Sequence, residues 1–237
     1  MKKNNLINNI RPSENNLKPA FLKYPIKFLI FLSALSIFLF SDKVRSENLF
    51  FSNSISEQLE LAKKFEEHKN YYAAEEVYLN AYSNGYNEAA YYLGWLYNTK
   101  GDLYNIEKVY KWWEIAARNG DHRAIYNIAL AYSEGIHYKK NLNKAIKLFI
   151  ECTQVFNDAF VVIGDIYRFE KRNYQKAAYF YKKALYSKEK EVKKDGQNSL
   201  ARLYFSDEYL DFSKGFKHAE SAANLGHLHS LYDVGMA

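Results

Sequence analysis

The chain has 237 residues, enough for one or two ordinary domains, and its 33 Lys and Arg against 27 Asp and Glu give a formal net charge of +6. The excess is confined to the N-terminus: residues 1–46 hold eight basic and two acidic side chains, which leaves 25 of each sign in residues 47–237. A domain that binds DNA or RNA keeps its basic excess on its folded body, so the charge argues against nucleic acid as a partner.

Residues 1–46 also hold all three prolines, Pro12, Pro19 and Pro25. Within them an uncharged apolar segment covers residues 28–41, preceded by Lys18, Lys23 and Lys27. A membrane-spanning helix needs about 20 apolar residues. A basic lead, a shorter apolar core and a small-residue exit are instead the marks of a secretory signal. Val44-Arg45-Ser46 supplies that exit, so cleavage is expected before Glu47. Left uncut, the same segment would be an N-terminal signal anchor, and the positive-inside rule would still place the remainder outside the cytoplasm. The expectation is therefore a secreted or periplasmic protein, or an inner-membrane-anchored one with its folded part outside the cytoplasm. Membrane contact is expected only through this segment, if uncleaved. Residues 47–54 read as a linker. A single cysteine, Cys152, rules out intrachain disulfides.

From residue 55 the sequence repeats. An aliphatic residue followed by a small one recurs at Leu61-Ala62, Leu93-Gly94, Ile128-Ala129, Ile163-Gly164, Leu200-Ala201 and Val234-Gly235, at spacings of 32 to 37 residues. Three residues beyond the small position stands an aromatic: Phe65, Tyr97, Tyr132, Tyr167 and Tyr204. Asn70, Asn105, Asn141, Asn173 and Asp211 form a second column. Eleven residues after each comes a third, Ala81, Ala116, Cys152, Ala184 and Ala222. Apolar residues at i, i+1 and i+4 make one helical stripe, so the first column marks a helix A. Asn and Asp accept orphan N–H groups at helix starts, so the second column opens a helix B. Gly85, Gly120 and Gly226 stand where a C-cap glycine ends helix B. Five units follow, at about 55–85, 87–120, 122–155, 157–192 and 195–226, and a partial sixth covers 228–237. The charged stretch 187–195 is expected to lengthen helix B of unit four. Cys152 fills a column that otherwise holds alanine and is expected to be a buried small residue.

Ala89-Ala90-Tyr91-Tyr92-Leu93-Gly94-Trp95-Leu96-Tyr97, and the helix-B segment ending in Trp112-Trp113-Glu114-Ile115-Ala116-Ala117-Arg118-Asn119-Gly120, resemble the Sel-one-like repeat (SLR) of the tetratricopeptide-repeat superfamily. Tyr132, Gly135, Lys144 and Ala145 fall at matching positions of unit three. Units one, four and five lack a glycine-bearing connection and look nearer to plain tetratricopeptide repeats. The resemblance implies an all-α, right-handed superhelical solenoid of antiparallel helix pairs whose concave face is made mainly by A helices. It implies an adaptor or scaffold for a protein or peptide partner. By the same resemblance the groove would take Tyr91, Trp95 and Asn98 of unit two, Tyr126 and Leu130 of unit three, Asp165 and Arg168 of unit four, and Asn198 and Arg202 of unit five.

No H-E-x-x-H, G-x-S-x-G, P-loop or dinucleotide fingerprint occurs, so no catalytic, metal or cofactor site is expected. His227-Leu228-His229 reads as a polar helix start rather than a metal pair. The leading reading is a non-catalytic interaction adaptor of the bacterial cell envelope. Two others stay open: a membrane-anchored component of a secretion or polysaccharide-export complex, and an envelope enzyme with an unrecognised site. The last residues, 230–237, read as the first half of a helix A. Leu231, Val234 and Met236 would give them an apolar edge, suited to end-to-end self-association or docking, unless the product is truncated.

Overall fold

A computed structural model describes residues 54–98, 101–227 and 229–230. The 1–46 leader with its apolar segment 28–41, the linker up to residue 53, and residues 231–237 of the sixth unit lie outside the described residues. Ten α-helices stand among the described residues, and no strand does. They are α1 (Ile55–Glu67), α2 (Tyr71–Ser83), α3 (Ala89–Tyr97), α4 (Ile106–Arg118), α5 (His122–Glu134), α6 (Leu142–Cys152), α7 (Ala159–Asp165), α8 (Tyr174–Ala184), α9 (Lys190–Tyr204) and α10 (Phe212–Asn224). Odd-numbered helices are the A helices and even-numbered ones the B helices. Each A helix packs on its own B helix, and each B helix on the next A helix, which makes a helical repeat solenoid.

Local chemistry fixes where each B helix starts. The side chains of Asn70, Asn105, Asn141, Asn173 and Asp211 accept the N–H of the residue three positions on, at 3.0–3.3 Å. Four of those capped residues are lysines, and their ammonium groups lie over the aromatic of the paired A helix: Lys108 at 4.5 Å from the Tyr97 centroid, Lys144 at 4.1 Å from Tyr132, Lys176 at 5.2 Å from Tyr167 and Lys214 at 5.5 Å from Tyr204. The capping residue's own N–H donates to the carbonyl of that aromatic residue in all five units: Asn70 to Phe65, Asn105 to Tyr97, Asn141 to Tyr132, Asn173 to Tyr167 and Asp211 to Tyr204, at 2.8–3.0 Å. The connections between A and B differ in length, yet each closes on the same two backbone groups.

The ends of three B helices follow the expected glycines. Gly120 adopts φ 83°, and Asp121 N–H donates to Ala116 O at 3.0 Å across it, which satisfies a carbonyl that the helix leaves free. Gly85 and Gly226 close α2 and α10 in the same way.

Small residues bring paired helices into contact. A methyl group placed on Gly94 would lie 2.3 Å from Cδ1 of Trp113, and one on Gly164 would lie 2.4 Å from Cε1 of Tyr181. Each ring therefore packs directly against bare backbone. Tyr78, Trp113, Phe149 and Tyr181, the inward aromatics of four B helices, are all buried. Cys152 is fully buried as expected; its thiol donates to the His122 carbonyl, and burial pushes its pKa up to about 11.

Two local features differ from the sequence reading. The stretch 187–195 does not extend α8, which ends at Ala184. Ser187 is buried, and its hydroxyl accepts the Glu189 N–H at 3.0 Å, so the chain turns there and 190–195 become the first turns of α9. The other is a π turn, Ile166–Glu170, that continues α7; Lys171 N–H reaches back to Ile166 O at its end. A hydrogen bond that spans five residues instead of four shifts the facing of Tyr167 and Arg168 relative to a plain helix.

A candidate partner-binding face on the A helices

Tyr91 and Trp95 lie on α3, with Asn98 as its C-cap. Trp95 is 49% exposed, while Leu93, Gly94, Leu96 and Tyr97 beside it are buried. Tyr91 is half-buried beneath Arg123 of α5, whose guanidinium carbon stands 4.1 Å from its ring centroid. Asp121 holds Arg123 by two charged bonds, Nε to Oδ1 at 3.0 Å and Nη2 to Oδ2 at 2.6 Å, and Nη1 donates to the Tyr92 hydroxyl at 3.3 Å. These bonds to Asp121 raise the guanidinium pKa further, so the group stays charged. Asp121 caps α5 as well, accepting the Arg123 N–H at 2.9 Å.

Tyr126 of α5 presents its ring edge-on to Phe149 at 5.2 Å and Phe156 at 5.8 Å. Its hydroxyl donates to Asp158 Oδ2 at 3.0 Å; burial first, then the neighbouring carboxylate, raises its pKa. Leu130 packs against the core between α5, α6 and α7 and is only partly buried. Asp165, at the end of α7, accepts the Tyr181 hydroxyl at 2.6 Å. Burial raises the Asp165 pKa, while that bond, Arg168 and Arg202 oppose the rise. Arg168 donates to the Arg202 carbonyl at 2.9 Å and lies 4.8 Å from the Phe169 ring. Asn198 of α9 accepts the Ser230 hydroxyl at 3.0 Å.

Of the nine anticipated residues, five fall into two clusters. Tyr91 and Tyr126 share one hollow of about 240 Å³, lined also by Arg123, Asn127, Phe156 and Asp158. Asp165, Arg168 and Arg202 form a second, polar group across units four and five. Asn198 pairs toward Ser230 instead. A furrow of about 340 Å³ adjoins the hollow, sharing Arg123 and Phe156 and reaching Glu88 and His122.

Arg123, Asn127, Phe156 and Asp158 were not anticipated. The signal for two of them lies in the repeat register: Glu88, Arg123 and Asp158 stand 35 residues apart, each three before Tyr91, Tyr126 and Val161. Each residue at this position in units three and four reaches back 32 positions, Arg123 onto Tyr91 and Asp158 onto Tyr126.

Four stretches of the chain, residues 87–121, 122–151, 164–187 and 194–227, match the model of the Sel1 repeat. No curated protein matches the chain. Among solved structures, the chain is similar to the Sel1 repeat protein of Oxalobacter formigenes, with a TM-score of 0.61 and 20% identity over 78% of each chain. It is also similar to a protective antigen of uropathogenic Escherichia coli strains that displays an SLR fold, with a TM-score of 0.62 and 22% identity. That match covers 77% of this chain and 41% of the antigen, so the chain spans less than half of that protein.

Proposed function

The chain belongs to the Sel1 repeat family, whose repeats serve as protein–protein interaction scaffolds, and on that premise we propose that it is an exported, non-catalytic adaptor of the bacterial cell envelope. Its A-helix face would hold a protein or peptide partner. The observation that carries this reading is Trp95: a large apolar ring half in water, on a helix whose neighbouring residues are buried. Trp, Tyr and Arg are the residue types that dominate interface energetics. Here Tyr91, Tyr126 and Arg168 are already held by stacking and hydrogen bonds. Little side-chain freedom remains to be lost on binding, which is the advantage of a preorganised surface. Export rests on residues 18–46, with their lysines, apolar segment and small-residue exit.

The test is affinity capture from the envelope fraction with wild type and with a Trp95→Ala, Arg202→Glu double variant of equal melting temperature. Loss of the captured proteins by the variant is expected; an unchanged set would refute the A-helix face as the binding surface. N-terminal sequencing of the mature protein tests export, with a start at Glu47 expected. An intact N-terminus in the membrane fraction would favour the anchored form.

A further inference from the structure

We propose that Asp158, Tyr126 and Phe156 form a receptor for the cationic side chain, lysine or arginine, of a basic peptide segment in the partner. This inference rests on the adaptor reading above and names the chemistry of what the adaptor holds.

The argument begins with the repeat. Units two and three meet through Arg123 on Tyr91, and units three and four meet at the equivalent place through Asp158 on Tyr126. At the first junction the chain supplies all three parts of a cation site: a tyrosine ring, a guanidinium stacked on it, and the carboxylate of Asp121 that pairs with the guanidinium. At the second junction the ring and the carboxylate are present, and the residue that would bring the cation is itself the acid. Asp158 is exposed, accepts one bond from the Tyr126 hydroxyl, and has no ion pair among the described residues. A carboxylate accepts several hydrogen bonds, so one donor leaves it room for more.

The surroundings suit a cation with an aliphatic stem. The hollow is walled by Tyr91, Tyr126 and Phe156, and at about 240 Å³ it admits a long unbranched side chain. Aromatic faces hold the methylenes and attract the charged head, while the carboxylate supplies a charged acceptor. The one cation among its described lining residues, Arg123, already serves Asp121 and Tyr92 with its N–H groups and Tyr91 with its face. An anionic ligand would have to compete with Asp121 for it. Along the hollow and the adjoining furrow, Glu88, Asp121 and Asp158 outnumber Arg123, so the lining carries a net negative charge that favours a basic segment.

The experiment is fluorescence anisotropy of the full-length chain with three labelled short peptides that alternate glycine with lysine, norleucine or glutamate. The lysine peptide is expected to bind, more weakly as salt rises, and the norleucine and glutamate peptides to bind at least about tenfold less well. Asp158→Asn keeps an acceptor for Tyr126 and should lower lysine-peptide affinity about tenfold. Asp158→Glu should keep most of it, and Glu208→Gln, an exposed acid on the connection before α10, should leave it unchanged. An unaffected Asp158→Asn variant, an equal loss in Glu208→Gln, or preference for the glutamate peptide would each overturn the proposal. If envelope capture still depends on Trp95 and Arg202 while Asp158→Asn has no effect, only this receptor fails. If capture is indifferent to Trp95 and Arg202, the adaptor face fails first.

Discussion

Gly94 is a place where the missing side chain is itself the structural part. The Trp113 indole occupies the space a methyl group would need, and it is 95% enclosed there. Alanine would gain about 1 kcal/mol of helix propensity. It would also force the ring away from a contact of 2.3 Å, and overpacking of this kind costs about 1–3 kcal/mol. Backbone and ring have little room to give, so the second effect wins: Gly94→Ala is expected to lower the urea midpoint. An equal or higher midpoint would mean that the indole swings aside freely. The small-residue column was legible in the sequence because it keeps helical register over five units. Which ring fills each gap was not legible, since Trp112 and Trp113 are neighbours and only the helix rotation decides which faces in; Trp112 instead meets Tyr82 edge-on at 5.1 Å.

At the scale of the element, the pair α9 and α10 carries a titrating group inside its contact. His218 is half-buried, stacks on Tyr204 at 5.6 Å, and bonds through Nδ1 to Gln197 at 2.6 Å. Burial first, then Lys182 and Lys217, lower its pKa below the ordinary value of 6.5. The unfolded chain therefore takes up this proton before the folded one does. Stability linked to His218 is full above about pH 6.5 and is lost as pH falls from there through the folded pKa. A lower melting temperature at about pH 5.5 than at about pH 7.5 is expected, with much of the difference removed by His218→Gln. A wild-type melting temperature at about pH 5.5 equal to or above that at about pH 7.5 would contradict the assignment. Glu66 and Asp165 act with the opposite sign: burial raises their folded pKa values, so they add stability as pH falls through those values. The helix starts were legible because a cap is chemistry between neighbours in sequence, as at Asn141 and Lys144. The π turn was not, because Ile166–Glu170 shows the same apolar spacing as an α-helix. Nor was the break at Ser187, where a run of lysines and glutamates with good helix propensity hides a buried hydroxyl.

Across the whole repeat array, each helix is supported chiefly by the helix before it and the helix after it. Stability in such an array is close to a sum of unit and nearest-neighbour contributions. Damage should therefore stay near its origin. Native-state hydrogen exchange of the Gly94→Ala variant is expected to show lost protection in α3 and α4, smaller losses in α2 and α5, and none in α8 to α10. Uniform loss over all helices would show one cooperative block instead. The same scale explains why the Tyr126–Asp158 hollow escaped the sequence reading. Its walls come from positions about one repeat apart, and only the offset between stacked units brings them together. Knowing that Glu88, Arg123 and Asp158 share a register position is what makes the juxtaposition readable afterwards.

The bond from each capping residue back to the aromatic that ends helix A works as a buckle works on a belt. Between Tyr132 and Asn141 the chain carries eight residues, and between Phe65 and Asn70 only four, yet the same backbone bond, 2.8 Å long in both, fastens the two connections. Slack is taken up outside the fastening. Residues added to these connections, during evolution or by an engineer placing a tag after Gly135, should therefore leave the fastening between the paired helices in place.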